Sequence, residues 1–257
     1  MIDVVILAAG PTDEFTEDGY RFPKNLIEVG GVPLIGRVIE SRSSMRDISR
    51  TIVCISHSED LRFHTSRTIK LVAPDASILL VKQPTKGALC TSLLAVDLLE
   101  DSHELVLLNG DSLIFQDLAE IITHFRQDKC DAGTICFESI HPRFSFVRLS
   151  SKLHVTEVAE KRPISRYATA GFYWFRSASD FKKAAFSSIR RRQDVDGRFY
   201  VAPVLNELIL DRKIVGARQI SSSDYANLQS PKLIEEFRQK IATRERQDLG
   251  KSSDISS

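Results

Sequence analysis

Val4-Val5-Ile6-Leu7-Ala8-Ala9-Gly10 begins as an apolar run and stops at small residues and a glycine. A run with no polar alternation suits a strand buried on both faces, the habit of a mostly parallel sheet. Comparable runs recur at Thr51–Ile55, Ser77–Val81 and Leu105–Leu108. The segments between them carry helical spacing. Pro33–Met45 sets Leu34, Val38 and Ile39 on one side, Ala88–Leu99 is richly apolar, and Leu118–Phe125 brings Leu118, Ile121, Ile122 and Phe125 together. Strand alternating with helix to about residue 130 predicts an α/β fold. Its mostly parallel, Rossmann-like sheet is flanked by helices and binds ligands beyond the carboxyl ends of its strands.

The second half changes character. Ala132–Glu138, Ser145–Leu149, His154–Val158 and Ala168–Phe175 read as closely spaced strands separated by turn residues, an antiparallel extension closing over the ligand edge. Helices are expected at Asp180–Arg192 and Val201–Leu210, a strand at Lys213–Ile220 and a helix at Pro231–Arg246. The organisation expected is one domain over 1–246. It has two lobes, about 1–130 and about 131–246, with 247–257 a polar, disordered tail.

With 35 basic and 34 acidic side chains the net charge is +1, so composition points to neither nucleic acid nor an anionic membrane as partner. No apolar run approaches the ~20 residues needed to span a bilayer. The start of the chain lacks the basic residues and long apolar core of a signal peptide. Cys54, Cys90, Cys130 and Cys136 lie far apart with no Cys-x-x-Cys pair. They read as reduced thiols in a soluble, cytoplasmic setting, not as a disulfide frame or zinc site.

Local chemistry concentrates in three places. Leu7-Ala8-Ala9-Gly10 lets backbone approach a ligand closely, and Lys24, after a long polar loop over Asp13–Phe22, can neutralise a triphosphate; the plain alternative is a turn and a solvated lysine. Asp111, after Leu105–Leu108, stands at the carboxyl end of a buried strand. There it suits Mg2+, which takes one or two carboxylates and completes its shell with phosphate and water, or else it caps a following helix. Glu160-Lys161 closes a third strand ahead of Gly171. That pair is either a ligand-binding couple or a surface ion pair, and adjacent strand residues ordinarily point to opposite faces. The turn Gln83-Pro84-Thr85-Lys86-Gly87-Ala88, between a strand and a helix, serves equally as connector or as a source of free N–H groups.

Gly10, Lys24, Leu26 and Gly31-Val32-Pro33 occur in that order, followed by Phe137-Glu138-Ser139-Ile140-His141-Pro142 and Val158-Ala159-Glu160-Lys161-Arg162-Pro163-Ile164-Ser165. From residue 2 to about 236 the chain resembles the sugar-1-phosphate nucleotidylyltransferases of glycosyltransferase-A-like fold, in particular the short members of surface-polysaccharide gene sets. The resemblance implies a transferase that joins a nucleoside triphosphate to a sugar 1-phosphate, or a similar phosphorylated small molecule, and releases pyrophosphate. By it, Leu7, Ala8, Ala9, Gly10, Gln83 and Gly87 bind the nucleotide, and Asn109, Glu160, Lys161 and Gly171 bind the sugar phosphate. Lys24, Asp111 and Lys161 carry the chemistry, with Asp111 and Asp196 as ligands of the Mg2+ cofactor. Asp196 equally suits a turn before Gly197. Assembly as a homo-oligomer is left open.

The pattern breaks at the first loop. Where the family has Gly-x-Gly-x-Arg, this chain has Gly10 and then Pro11, Thr12, Asp13 and Glu14, and Asn25 replaces a proline. Loss of one preorganised donor can cost ~10²–10³ in rate. A carboxylate in its place opposes phosphate by ~1 kcal/mol in water and ~4 at an effective dielectric of 20. Three readings stand. The loop is re-formed with Arg21 or Arg198 supplying charge, Asp13 and Glu14 hold a metal, or the chain is a ligand-binding homologue that does not turn over. A glycosyltransferase of the same fold is a further alternative, opposed by Asp111-Ser112-Leu113, which is not the Asp-x-Asp such enzymes carry.

Overall fold

The structure is a computed structural model and describes residues 1–241. In chain order the strands are β1 Ile2–Ala8, β2 Glu28–Val29, β3 Val32–Pro33, β4 Ile48–Ser56, β5 Ser77–Val81, β6 Glu104–Asn109 and β7 Ser112–Ile114, then β8 Ala132–Glu138, β9 Ser145–Leu149, β10 Val155–Glu160, β11 Tyr167–Phe175, β12 Val215–Gln219 and β13 Tyr225–Asn227. The helices are α1 Asp13–Glu17, α2 Leu34–Glu40, α3 His57–Phe63, α4 Thr65–Val72, α5 Ala88–Leu93, α6 Leu118–Gln127, α7 Ala178–Arg190 and α8 Val204–Leu210. A further helical run covers 231–241. The rest of the helix expected to Arg246, and the tail from 247, lie outside the described residues.

One nine-stranded sheet carries the expected change of character. β5, β4, β1 and β6 run parallel, with β1 and β4 in the interior. β11 then enters antiparallel to β6 and pairs onward with β8 and β9, while β10 lies beyond β9 and β12 beyond β8. The apolar runs end up fully covered: Val4, Val5 and Ile6 show 0% exposure, as do Ile52, Val53 and Leu105. Two hydrophobic clusters occupy the two faces of the sheet. One gathers Val4, Ile6, Leu34, Val38, Leu118, Ile122 and Trp174, the other Val5, Ile52, Leu107, Phe175, Phe181 and Leu205. Trp174 is completely buried in β11, stacked on Phe125 at 5.7 Å, and its indole N–H donates to Glu104 Oε2 at 2.8 Å.

Several elements depart from expectation. Pro33–Met45 and Ala88–Leu99 each begin as an α-helix and tighten into a 3-10 turn, Ser41–Ser44 and Val96–Leu98. The expected loop over Asp13–Phe22 contains α1, because Phe15 is a core residue, 1% exposed and edge-on to Tyr20. The helix expected soon after Asp111 starts only at Leu118. Ser112–Ile114 is a short strand paired with Tyr225–Asn227, and the helix is capped by Asp117, whose side chain accepts from the N–H groups of Ala119 and Glu120. Asp111 is therefore not a helix cap.

Candidate active site

β1 and β6 lie side by side with Leu7 opposite Asn109, so the turns after both strands open at the same sheet edge. Beyond Ala8 the chain loops through α1, returns at Pro23, and makes one 3-10 turn over Lys24–Leu26. That turn lays Lys24 back over the opening: its Nζ is 2.7 Å from Asp111 Oδ2, and a Cβ built on Gly10 would stand 3.8 Å from it. Three residues far apart in sequence, Gly10, Lys24 and Asp111, thus meet. The Lys24 side chain is 7% exposed and that of Asp111 25%, so Lys24 is not a solvated surface lysine.

Asn25, the departure from the family pattern, holds this turn in place. It is fully buried, and its Nδ2 donates to the Ala8 carbonyl at 2.8 Å and to Glu59 at 3.0 and 3.1 Å. Thr65 Oγ1 donates to the same carboxylate at 2.8 Å. Burial pushes the Glu59 pKa up, and the bonds from Asn25 and Thr65 with the charge of Lys24 pull the other way. Glu59 was not among the residues singled out from sequence, although Ser56-His57-Ser58-Glu59 has the Ser-x-x-Glu form of a helix start. Ser56 does cap α3, accepting from the Glu59 N–H.

Beyond β6, β11 bulges: Thr169 pairs with Cys136 and Tyr173 with Thr134, so the strand between them is longer than its partner. Bulges bend a strand and re-aim it, and they are common beside active sites. Gly171 sits in this bulge at φ 74°, and a Cβ there would come within 2.7 Å of Asn109 Nδ2. Only glycine leaves room at this position for the Asn109 side chain.

Glu160 ends β10, buried, and accepts from Ser145 Oγ. Desolvation raises its pKa, against the Ser145 hydrogen bond and the charge of Lys161. Lys161 adopts φ 53°, which ends the pleat, so the opposite-face rule for neighbouring strand residues does not apply beyond Glu160. Lys161 is exposed and its ammonium lies 5.1 Å from the centre of the Tyr200 ring.

Gln83 is exposed in the turn after β5. Gly87, at φ 110°, precedes α5, where a Cβ would run into the Phe199 carbonyl, so its glycine has a packing reason of its own. Leu89 N–H donates to that carbonyl at 3.1 Å, so it is not free for a ligand. Asp196 and Gly197 form a two-residue hairpin turn, closed by Val195 and Arg198. The Lys161 pKa is raised first by a hydrogen bond with the Tyr200 side chain, and the charge of Asp196 is the last contributor in the same direction. Glu14 lies exposed on α1.

Among the described residues no group of three or more His, Cys, Asp or Glu converges as a metal cage. A lone, partly exposed carboxylate such as Asp111 fits Mg2+ that draws most of its ligands from substrate phosphates and water. The edge therefore offers a buried cation and a carboxylate beside a small-residue turn, and across from them a glycine bulge, a buried carboxylate and an exposed lysine. This is an arrangement for phosphorylated ligands on an α/β sheet.

The chain belongs to the nucleotidyl transferase family, whose model matches residues 3–197, and it is accordingly a transferase. The fold is shared with a nucleoside-diphosphate-sugar pyrophosphorylase from Vibrio cholerae RC9, at a TM-score of 0.78 and 21% identity over 92% of this chain and 99% of that one. It is shared also with a protein assigned as a glucose-1-phosphate thymidylyltransferase from Bacillus anthracis (TM-score 0.74, 18% identity, 93% and 94% covered). A third is the inositol-1-phosphate CTP transferase from T. maritima (0.71, 15%, 93% and 95%). No curated protein sequence matches the chain. The glycosyltransferase and inactive-homologue alternatives are not favoured. Among the described residues no helix is long and apolar enough to cross a membrane.

Proposed function

We propose that the chain transfers a nucleotidyl group from a nucleoside triphosphate to a sugar 1-phosphate, for nucleotide-sugar and polysaccharide synthesis. A phosphate oxygen of the sugar phosphate attacks the α-phosphorus in line; that P–O bond forms as the bond to the β-phosphate breaks, and pyrophosphate leaves. Such chemistry asks little covalent work of the protein, and positioning with charge neutralisation dominates. The observation that carries the reading is the meeting of Lys24, Asp111 and Gly10 at the carboxyl edge of β1 and β6. Lys24 neutralises the triphosphate over Leu7–Gly10, and Gln83 and Gly87 face the base. Asn109, Gly171 and Glu160 bind the sugar, while Lys161 holds its phosphate.

Asp111, with Asp196 as second carboxylate, would hold Mg2+, which when bound would supply charge neutralisation for the phosphates. The two-lobed division near residue 130 goes with this reading, nucleotide on one side and sugar phosphate on the other. A cytoplasmic setting accords with four free cysteines, of which burial pushes Cys54 and Cys136 up to about 12. The test is pyrophosphate release from a panel of nucleoside triphosphates and sugar 1-phosphates with Mg2+, and formation of triphosphate from nucleotide sugar and pyrophosphate. Absence of both reactions across the panel rejects the reading.

A further inference from the structure

One short segment touches both halves of the proposed site. Val195 and Arg198 exchange N–H to carbonyl bonds of 2.9 and 3.0 Å around Asp196 and Gly197, both at positive φ. That is the tight turn whose twist suits a hairpin. Phe199 then donates its N–H to the Lys86 carbonyl at 2.7 Å and accepts from Leu89 N–H, which fastens the segment to the base-side turn. The next residue, Tyr200, presents its ring to Lys161 Nζ at 5.1 Å. Lys161 is tied at its own backbone, N–H to the Phe144 carbonyl at 3.0 Å, so the ring restrains the remaining freedom of a long exposed side chain.

We propose that Tyr200 is a positioning residue: its ring holds the Lys161 ammonium where the attacking phosphate binds, and through Phe199 the same strap joins that ammonium to the Lys86–Gly87 turn. The proposal deepens the nucleotidyl-transfer reading and rests on it. A lysine ammonium over an aromatic face gains electrostatic attraction from the ring quadrupole, and its flexible stem is otherwise free among rotamers. A hydrogen bond with the Tyr200 side chain heads the causes that raise the Lys161 pKa, followed by the opposing effect of burial and then the charges of Tyr200, Glu160 and Asp196. Tyr200 thus favours the charged form through its hydroxyl, while its ring face lies 5.1 Å from the ammonium.

The experiment compares wild type with Tyr200→Leu, which removes the ring, and Tyr200→Phe, which keeps its face. For Tyr200→Leu the KM for sugar 1-phosphate is expected to rise about 2- to 30-fold, the span of a lysine–ring contact, with KM for the triphosphate unchanged and kcat little altered. Tyr200→Phe, which keeps the ring face and loses the hydroxyl, is expected between the two; a KM as high as that of Tyr200→Leu overturns the ring as the group that holds the ammonium. Equal shifts in both KM values, or none, overturn the proposal. In parallel, the acetylation rate of Lys161 is followed by peptide mass spectrometry without substrate. If wild type turns over no substrate pair, the functional reading fails, and the modification rate decides alone. Faster acetylation in Tyr200→Leu but not in Tyr200→Phe supports the restraint; equal rates in all three proteins reject it.

Discussion

Lys24 Nζ and Asp111 Oδ2, separated by 87 positions in sequence, stand 2.7 Å apart at the edge of the sheet. Neither charge is stranded in the absence of substrate, and the pair is prepared to exchange partners. In the proposed reaction the lysine would turn to the phosphates and the carboxylate to Mg2+. The unliganded protein thereby avoids the ~1–3 kcal/mol cost of leaving a buried polar group unsatisfied.

Asp111→Asn therefore separates binding from folding. The variant keeps the shape and an acceptor for Lys24 but leaves its buried charge without a counter-charge, so its unliganded melting temperature is expected below that of the wild type and serves as its own baseline. Wild type with Mg2+ and the preferred triphosphate at 100 times its Kd gains about 2.7 kcal/mol. The variant is expected to lose the Mg2+-dependent part of that gain, read by thermal unfolding with and without the metal.

Gly171→Ala tests the bulge. Left-handed backbone costs a non-glycine residue ~1–2 kcal/mol, and forcing an atom into a packed place adds ~1–3. Urea unfolding should show a loss in that combined range, with Asn109 displaced. A stability equal to wild type counts against the close approach of β11 to β6.

Glu160→Gln has a pH signature. Burial raises the Glu160 pKa, so the folded state holds that proton more tightly than the unfolded chain, and stability falls as pH climbs from the unfolded value through the folded one. Glutamine has no such loss. The variant should be more stable than wild type above this window, and the difference should close below it. Its kcat/KM for sugar phosphate should drop about tenfold to a hundredfold, the worth of a charge-assisted hydrogen bond. Thermal melts across the acid range and steady-state kinetics check the two halves.

Phe15 and Glu14 are neighbours with opposite expected effects. Phe15→Ala empties a core position and should cost ~3–5 kcal/mol. Glu14→Ala changes an exposed side chain and should stay within ~0.5 kcal/mol. If Glu14 repels phosphate, its removal lowers the triphosphate KM, an effect that added salt diminishes.

The architecture was legible where hydrophobic pattern decides it. β1, β4, β5 and β6 lie at or within a few residues of the four apolar runs, and the antiparallel strands of the second half are equally close. Helices α3 and α4 escaped notice because they are short and polar, and β7 and β13 because a strand of three residues leaves no periodicity to read. The loop was harder for a different reason. Pro11-Thr12-Asp13-Glu14 reads as a damaged glycine motif, and only the fold shows Phe15 anchoring a helix there. The meeting of Gly10, Lys24 and Asp111 was legible as motifs in order. The role of Asn25 was not, since a proline-to-asparagine change says nothing by itself of Glu59 and the Ala8 carbonyl waiting for its amide.

Trp174 is the single tryptophan of the chain, sealed in β11 three residues beyond Gly171. Its indole lies against Phe125, bonds Glu104 and has the Arg176 guanidinium 5.5 Å from its ring centre, all of it shut away from water. The protein therefore carries its own optical reporter. Emission should be blue in the native state and shift to the red when β11 leaves β6. Selective excitation of one fluorophore follows the strand at which the sheet turns from parallel to antiparallel, with no label attached.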